Sequence, residues 1–151
     1  MASTLIIGYG NSLRRDDGAG YVAAERLAAE VSNPRVRVIA RQQLTPELAV
    51  EVSEADCVIL IDAAAGRGAG RIFHSRVEPS EWPTTTFVHN LDPAMLLACS
   101  KSLYGRYPDA HLVSIVGESF EFGDGLSAAV AAAIPEAIRQ VLELIARHGS
   151  T

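Results

Sequence analysis

Gly8-Tyr9-Gly10-Asn11-Ser12-Leu13-Arg14-Arg15-Asp16-Asp17-Gly18-Ala19-Gly20 is the stretch that decides the fold. It follows the apolar run Leu5-Ile6-Ile7 and leads into an Ala-rich amphipathic run. A strand therefore feeds a glycine loop, which feeds a helix. The dinucleotide fingerprint G-x-G-x-x-G fails here, because Leu13 stands where its third glycine belongs. The second strand ends in Ala40-Arg41, with no acidic residue to meet a ribose. Instead Asp16 and Asp17 stand at the mouth of the helix, where carboxylates repel a phosphate. The loop suits a cation or a proton, not a nucleotide.

Outward from that loop, strands and helices alternate. Thr4–Gly8 reads as the first strand and Gly18–Val31 as the first helix, with Ala23, Leu27 and Val31 on one face and Glu25, Arg26 and Glu30 opposite. Asn33-Pro34 marks a turn before strand Val36–Ala40. Thr45-Pro46-Glu47 opens a second helix: Thr45 suits the cap, Pro46 the first helical position and Glu47 the positive helix end. Cys57–Ile61 is a continuous apolar run, as a strand buried on both faces requires. Gly66, Gly68 and Gly70 make a turn into strand Arg71–Val77, and a loop containing Trp82 follows. Asp92-Pro93 starts a third helix that Gly105 ends, and Leu112–Val116 is the last strand. The Ala-rich run after Leu126 leads into a helix from Pro135, with Ile134, Ile138, Val141, Leu142 and Ile145 on its buried face.

This alternation predicts an α/β fold: a single three-layer α/β/α domain over residues 1–151, with a five-stranded, mostly parallel, twisted sheet. Right-handed crossovers put the second strand on one side of the first and the third on the other. The crevice then opens at the carboxyl ends of strands one and three. No helix separates strands three and four, so strand four is expected to be antiparallel at an edge.

At 151 residues the chain can bury about two-thirds of its unfolded surface. A net charge of −5 argues against a nucleic-acid partner, which calls for a basic face. No apolar run reaches the length of a membrane span and no signal peptide is recognisable, so a cytoplasmic location is expected. Cys57 and Cys99 lie in apolar contexts without a C-x-x-C and read as small buried hydrophobes. His74, His111 and His148 have no partners at ligand spacing.

Three residues converge on the crevice. Asp17 lies in the first loop, Asp62 follows strand three, and His89 lies just ahead of the third helix. Each alone has a plainer reading: a helix cap, a loop hydrogen bond, a solvated ring. Together they make an O/O/N set that suits a borderline divalent cation and leaves coordination positions open. Glu118, Glu121 and Asp124 cluster after the last strand and either extend this acidic rim or stand in a solvated loop. Arg14 and Arg15 either pair with Asp16 or face a partner.

At this point the chain resembles the hydrogenase maturation endopeptidases, which remove a C-terminal peptide from the precursor of the nickel-iron hydrogenase large subunit. Their opening motif reads G-x-G-N-x-L-x-x-D-[DE]-G-x-G, and Gly8 to Gly20 fits it throughout. The resemblance implies that Asp17, Asp62 and His89 are the metal-contacting and catalytic residues. It implies that the nickel is carried by the precursor itself, and that the chain is a monomer. Many members have Glu where Asp17 stands, so the carboxylate here is set back by one methylene. Asp16 is either a base behind these residues or a cap. A non-catalytic metal-sensing chaperone for the same precursor, or another binding module, is the rival reading.

Overall fold

The computed structural model describes residues 3–81 and 91–149. Its strands are β1 (Thr4–Tyr9), β2 (Val36–Arg41), β3 (Cys57–Ala64), β4 (Ile72–Arg76) and β5 (Asp109–Val116), and its helices are α1 (Ala19–Glu30), α2 (Ala49–Glu54), α3 (Pro93–Tyr104) and α4 (Ala128–Gly149). They form one five-stranded sheet in the order β2-β1-β3-β5-β4. β1 pairs in parallel with β2 and β3, and β3 in parallel with β5. β4 closes the edge antiparallel to β5. The expected architecture is therefore present, antiparallel edge strand included.

The two faces of the sheet carry separate cores. Ile6, Ile59, Ile61, Val113 and Ile115 pack under α1 and α4. Ile7, Val58 and Leu60 pack under α2 and α3 with Leu96 and Leu97. Alternate residues of β3 thus feed both cores, which explains its unbroken apolar run. Each fully buried Ile or Leu contributes about 1.5–3 kcal/mol. β4 reads the other way: Phe73, His74, Ser75 and Arg76 are exposed, and polar groups there discourage pairing with another chain. No helix among the described residues is long and apolar enough to cross a membrane.

Several boundaries differ from the sequence reading. α4 starts at Ala128, and Pro135 lies inside it. The Ala-rich run favours helix strongly enough to nucleate ahead of the proline. Pro135 and Ala131 are both exposed, so the carbonyl that loses its helical partner lies on the solvent side. Leu142 is 40% exposed and Leu144 is buried instead, because the buried stripe centres on Val130, Ala137 and Val141. Thr45 makes no side-chain cap, and a 3-10 turn at Pro46–Leu48 leads into α2. Asp92, by contrast, caps α3 by accepting the Met95 N–H at 2.8 Å. β5 begins three residues earlier than expected, at Asp109, where β3 offers a parallel partner from Cys57 onward.

The glycines of the opening motif let three backbones approach closely. A Cβ on Gly20 collides with the carbonyl oxygen of Ile61 and lies 2.7 Å from that of Tyr9. α1 therefore rests directly on the ends of β1 and β3, next to the residue that precedes Asp62. Gly20→Ala should force these elements apart and cost about 1–3 kcal/mol, read as a lower urea midpoint at unchanged slope.

Candidate functional site

The carboxyl ends of β1 and β3 open onto a cleft of about 320 Å³ whose walls include Tyr9, Asn11, Arg14, Asp17, Gln42 and Asp62. Gln43, Leu44, Ala63 and Leu91 complete much of the rim. It lies between β1 and β3, where the winding order of the sheet switches sides, the usual ligand position in an open α/β sheet.

Asp62 is the more fully hydrogen-bonded of the two acids. It lies within β3 rather than after it, opposite Ser114 of β5. Its Oδ1 accepts the Ser114 hydroxyl at 2.6 Å and its Oδ2 accepts the Tyr9 hydroxyl at 2.9 Å. Burial pushes its pKa above the usual carboxylate range; the two hydroxyls oppose that shift and the charge on Asp17 adds to it. Tyr9 is itself pushed up, first by burial and then by the charge of Asp62, so it stays a proton donor to the carboxylate. Ser114 is a site residue that sequence reading missed. Its only signal was its register beside Asp62, which needs the strand pairing to be known.

Asp17 belongs to a 3-10 turn, Arg15–Gly18, that joins the glycine loop to α1. Its Oδ2 accepts the Asn11 N–H at 2.9 Å. Gly10 supports that turn from below: its φ is +147°, and a Cβ there would collide with the Asp17 carbonyl. Arg15 takes φ +46°, an uncommon value for a residue with a side chain, so this loop holds local strain beside the cleft. His89 and Trp82 lie outside the described residues.

Asp16 points the other way. It is fully buried and its carboxylate accepts four hydrogen bonds. They come from the N–H groups of Glu118 (2.8 Å), Ser119 (3.1 Å) and Ser127 (2.7 Å) and from the Ser127 hydroxyl (2.8 Å). Burial raises its pKa, but these donors outweigh burial and hold it below the ordinary carboxylate value. It caps neither the 3-10 turn nor α1 with its side chain. Asp16 instead ties the glycine loop to the segment between β5 and α4. Arg14 and Arg15 do not pair with it: the Arg14 Nε donates to the Phe120 carbonyl at 3.1 Å, and its guanidinium lies over the Phe122 ring. Glu118, Glu121 and Asp124 are exposed and lie outside the cleft lining.

Neither thiol is placed for nucleophilic attack. Cys57 and Cys99 are both buried. Burial, followed by the charge of Asp109, pushes Cys57 up to about 12, and burial also raises Cys99.

No protein-family model matches the chain, and no curated protein matches it significantly. Solved structures do match. The hydrogenase maturating endopeptidase HybD from E. coli has 26% identity and a TM-score of 0.80 over 97% of this chain and 94% of its own. The hydrogenase 2 maturation peptidase from a Thaumarchaeota archaeon shares the fold at 24% identity and a TM-score of 0.74, over 95% of this chain and 98% of its own. So does the NiFe hydrogenase maturation protease HycI from Thermococcus kodakarensis, at 24% and 0.72, over 97% and 91%. Over nearly its whole length the chain is thus similar to hydrogenase maturation endopeptidases.

On the reading proposed below, in which Asp62 meets the substrate, the acid limb of activity should report Asp62. Tyr9→Phe removes a donor that favours the charged carboxylate, so the Asp62 pKa should rise further. The pH at which activity falls on acidification should move upward, with little change at alkaline pH. A pH–rate profile of substrate processing reads this directly.

Proposed function

We propose that this chain removes a C-terminal peptide from the nickel-loaded precursor of a nickel-iron hydrogenase large subunit, and that Asp17, Asp62 and His89 recognise the nickel carried by that substrate. The observation that carries the reading is the shared cleft of Asp17 and Asp62 at the carboxyl ends of β1 and β3. The ionised form of Asp62 is disfavoured there: Asp62 is buried, and the charge on Asp17 raises its pKa further. A divalent cation entering the cleft removes that penalty on Asp62. Oxygen donors with one imidazole and no thiolate make a modest site, so tight binding requires the precursor to supply further ligands of its own. Recognition then depends on the nickel-loaded state of the precursor.

The chain's own residues have defined parts in this reading. Tyr9 and Ser114 hold both oxygens of Asp62 in place, and the Asn11 N–H fixes one oxygen of Asp17. Carboxylates held in this way need no reorganisation as the cation docks. The cation supplies Lewis acidity that polarises the scissile carbonyl or activates water. Asp16 has no part in proton transfer, since its acceptor sites are filled by donors of the fold.

The test is mass spectrometry of a large-subunit precursor incubated with the endopeptidase, with and without prior nickel loading. Release of a C-terminal peptide from the loaded form alone is expected. Equal release from both forms would overturn nickel recognition, and binding without release in either would make the chain a chaperone.

A further inference from the structure

The opposite end of the sheet holds a second cluster of metal-ligating side chains. Cys57 opens β3 and Asp109 opens β5, and the two are register partners. His111 lies two residues further along β5, on the same face of the sheet. One ligand atom from each of Cys57, Asp109 and His111 can be chosen so that all three lie within 4.8 Å of one another. The His111 Nε2 is 3.3 Å from Asp109 Oδ2. Two ligands each about 2.0–2.1 Å from a tetrahedral Zn²⁺ stand about 3.3 Å apart, so this edge already has the required length. The other ring nitrogen, His111 Nδ1, is 2.9 Å from His74 Nε2 on the adjacent strand β4. Sequence spacing gave these histidines no ligand partners. The antiparallel pairing of β4 with β5 and the parallel pairing of β3 with β5 supply them.

We propose that Cys57 Sγ, an Asp109 carboxylate oxygen and His111 Nε2 form a second metal site, for Zn²⁺ or a similar borderline divalent cation, with water in the fourth position. A mixed S/O/N set selects such ions over Mg²⁺ or Ca²⁺. His74 acts as a positioning residue: by accepting the His111 Nδ1–H it fixes the tautomer that presents Nε2 to the metal. Coordination replaces the Cys57 S–H bond with an S–metal bond and releases the proton to solvent. Arg76 is the competing cation, since its guanidinium pairs with Asp109 Oδ1. Its side chain is 63% exposed and free to swing into water, and Oδ2 remains directed at His111. The site is independent of the nickel reading: Cys57 and Asp62 are five residues apart on one strand, roughly 16 Å.

Titration with Co²⁺, followed by displacement with Zn²⁺, tests this on the intact chain. The wild type should show a thiolate-to-cobalt charge-transfer band that saturates at one equivalent and is lost on adding Zn²⁺. Cys57→Ser should abolish the band, while Cys99→Ser and the double variant Asp17→Asn/Asp62→Asn should keep it. Asp109→Asn and His111→Gln should each weaken binding at least tenfold. His74→Gln should weaken it about 10- to 100-fold while keeping the band, and Arg76→Gln should tighten it. A wild-type spectrum without the band, or a band that survives Cys57→Ser, would overturn the site. Asp109→Asn changes a side chain that is 32% exposed, so it bears on the site without disturbing the core. Unchanged affinity in that variant would overturn the proposal equally.

Discussion

Asp16→Ala is expected to cost about 3–5 kcal/mol of stability, a large part of the total for a domain of this size. The substitution leaves three backbone N–H groups and one hydroxyl without their acceptor. Each buried donor left unpaired costs about 1–3 kcal/mol, reduced by whatever water can enter. Asp16→Asn should be almost as damaging. An amide oxygen at the Oδ2 position serves three of the donors, but the NH₂ group then faces the Ser127 N–H. Thermal or urea unfolding reads both variants, and a loss under 1 kcal/mol for the alanine would show that the four bonds contribute little. The pH dependence follows from the lowered pKa. The stabilisation from Asp16 is present above the ordinary carboxylate pKa of 3.8 and is lost as pH falls through the lower folded value. The wild type should therefore lose stability in strong acid along a limb that the alanine variant lacks.

Asp62→Asn should instead abolish processing while leaving the fold intact or more stable. Substrate cleavage is expected to fall on the order of 100-fold or more, equivalent to about 3 kcal/mol of transition-state stabilisation. The sign of the stability effect follows from the raised pKa. A carboxyl whose folded pKa lies above its unfolded value stabilises the fold when protonated, and that contribution is lost as pH rises through the folded value. At neutral pH ionised Asp62 is thus a burden on the fold, and a neutral amide removes it. The amide still reaches the hydroxyls of Tyr9 and Ser114, accepting from one and donating to the other. Asp17→Asn should lower processing comparably, since its carboxylate lines the same cleft. Precursor processing measured beside the melting temperature separates the two effects. Wild-type rates in both variants would remove these aspartates from the mechanism.

A stability loss at Asp16 and an activity loss at Asp62 concern residues of the same type, and the sequence treats them unequally. Adjacent Asp16 and Asp17 cannot be told apart by residue type, and only the resemblance singles out Asp17. One points into a network of donors from residues more than 100 positions away, and the other into the cleft. The direction of each side chain depends on the 3-10 turn and on where the segment after β5 returns, and both are long-range matters.

What the sequence determined by itself was local and periodic. The glycine spacing from Gly8 to Gly20, the unbroken apolar run of β3 and the helical stripe of α1 specify strand, turn and helix through backbone sterics and burial, which act within a few residues. Right-handed crossover then places Asp17 and Asp62 at one end of the sheet. Only the tertiary structure decided which groups meet across strands: Ser114 and Tyr9 on Asp62, the loop beyond β5 on Asp16, and Cys57, Asp109 and His111 at the far end of the sheet. Strand register and the order β2-β1-β3-β5-β4 set those meetings. Both are fixed by the packing of the whole sheet between its two helical layers, so no stretch of sequence carries them alone.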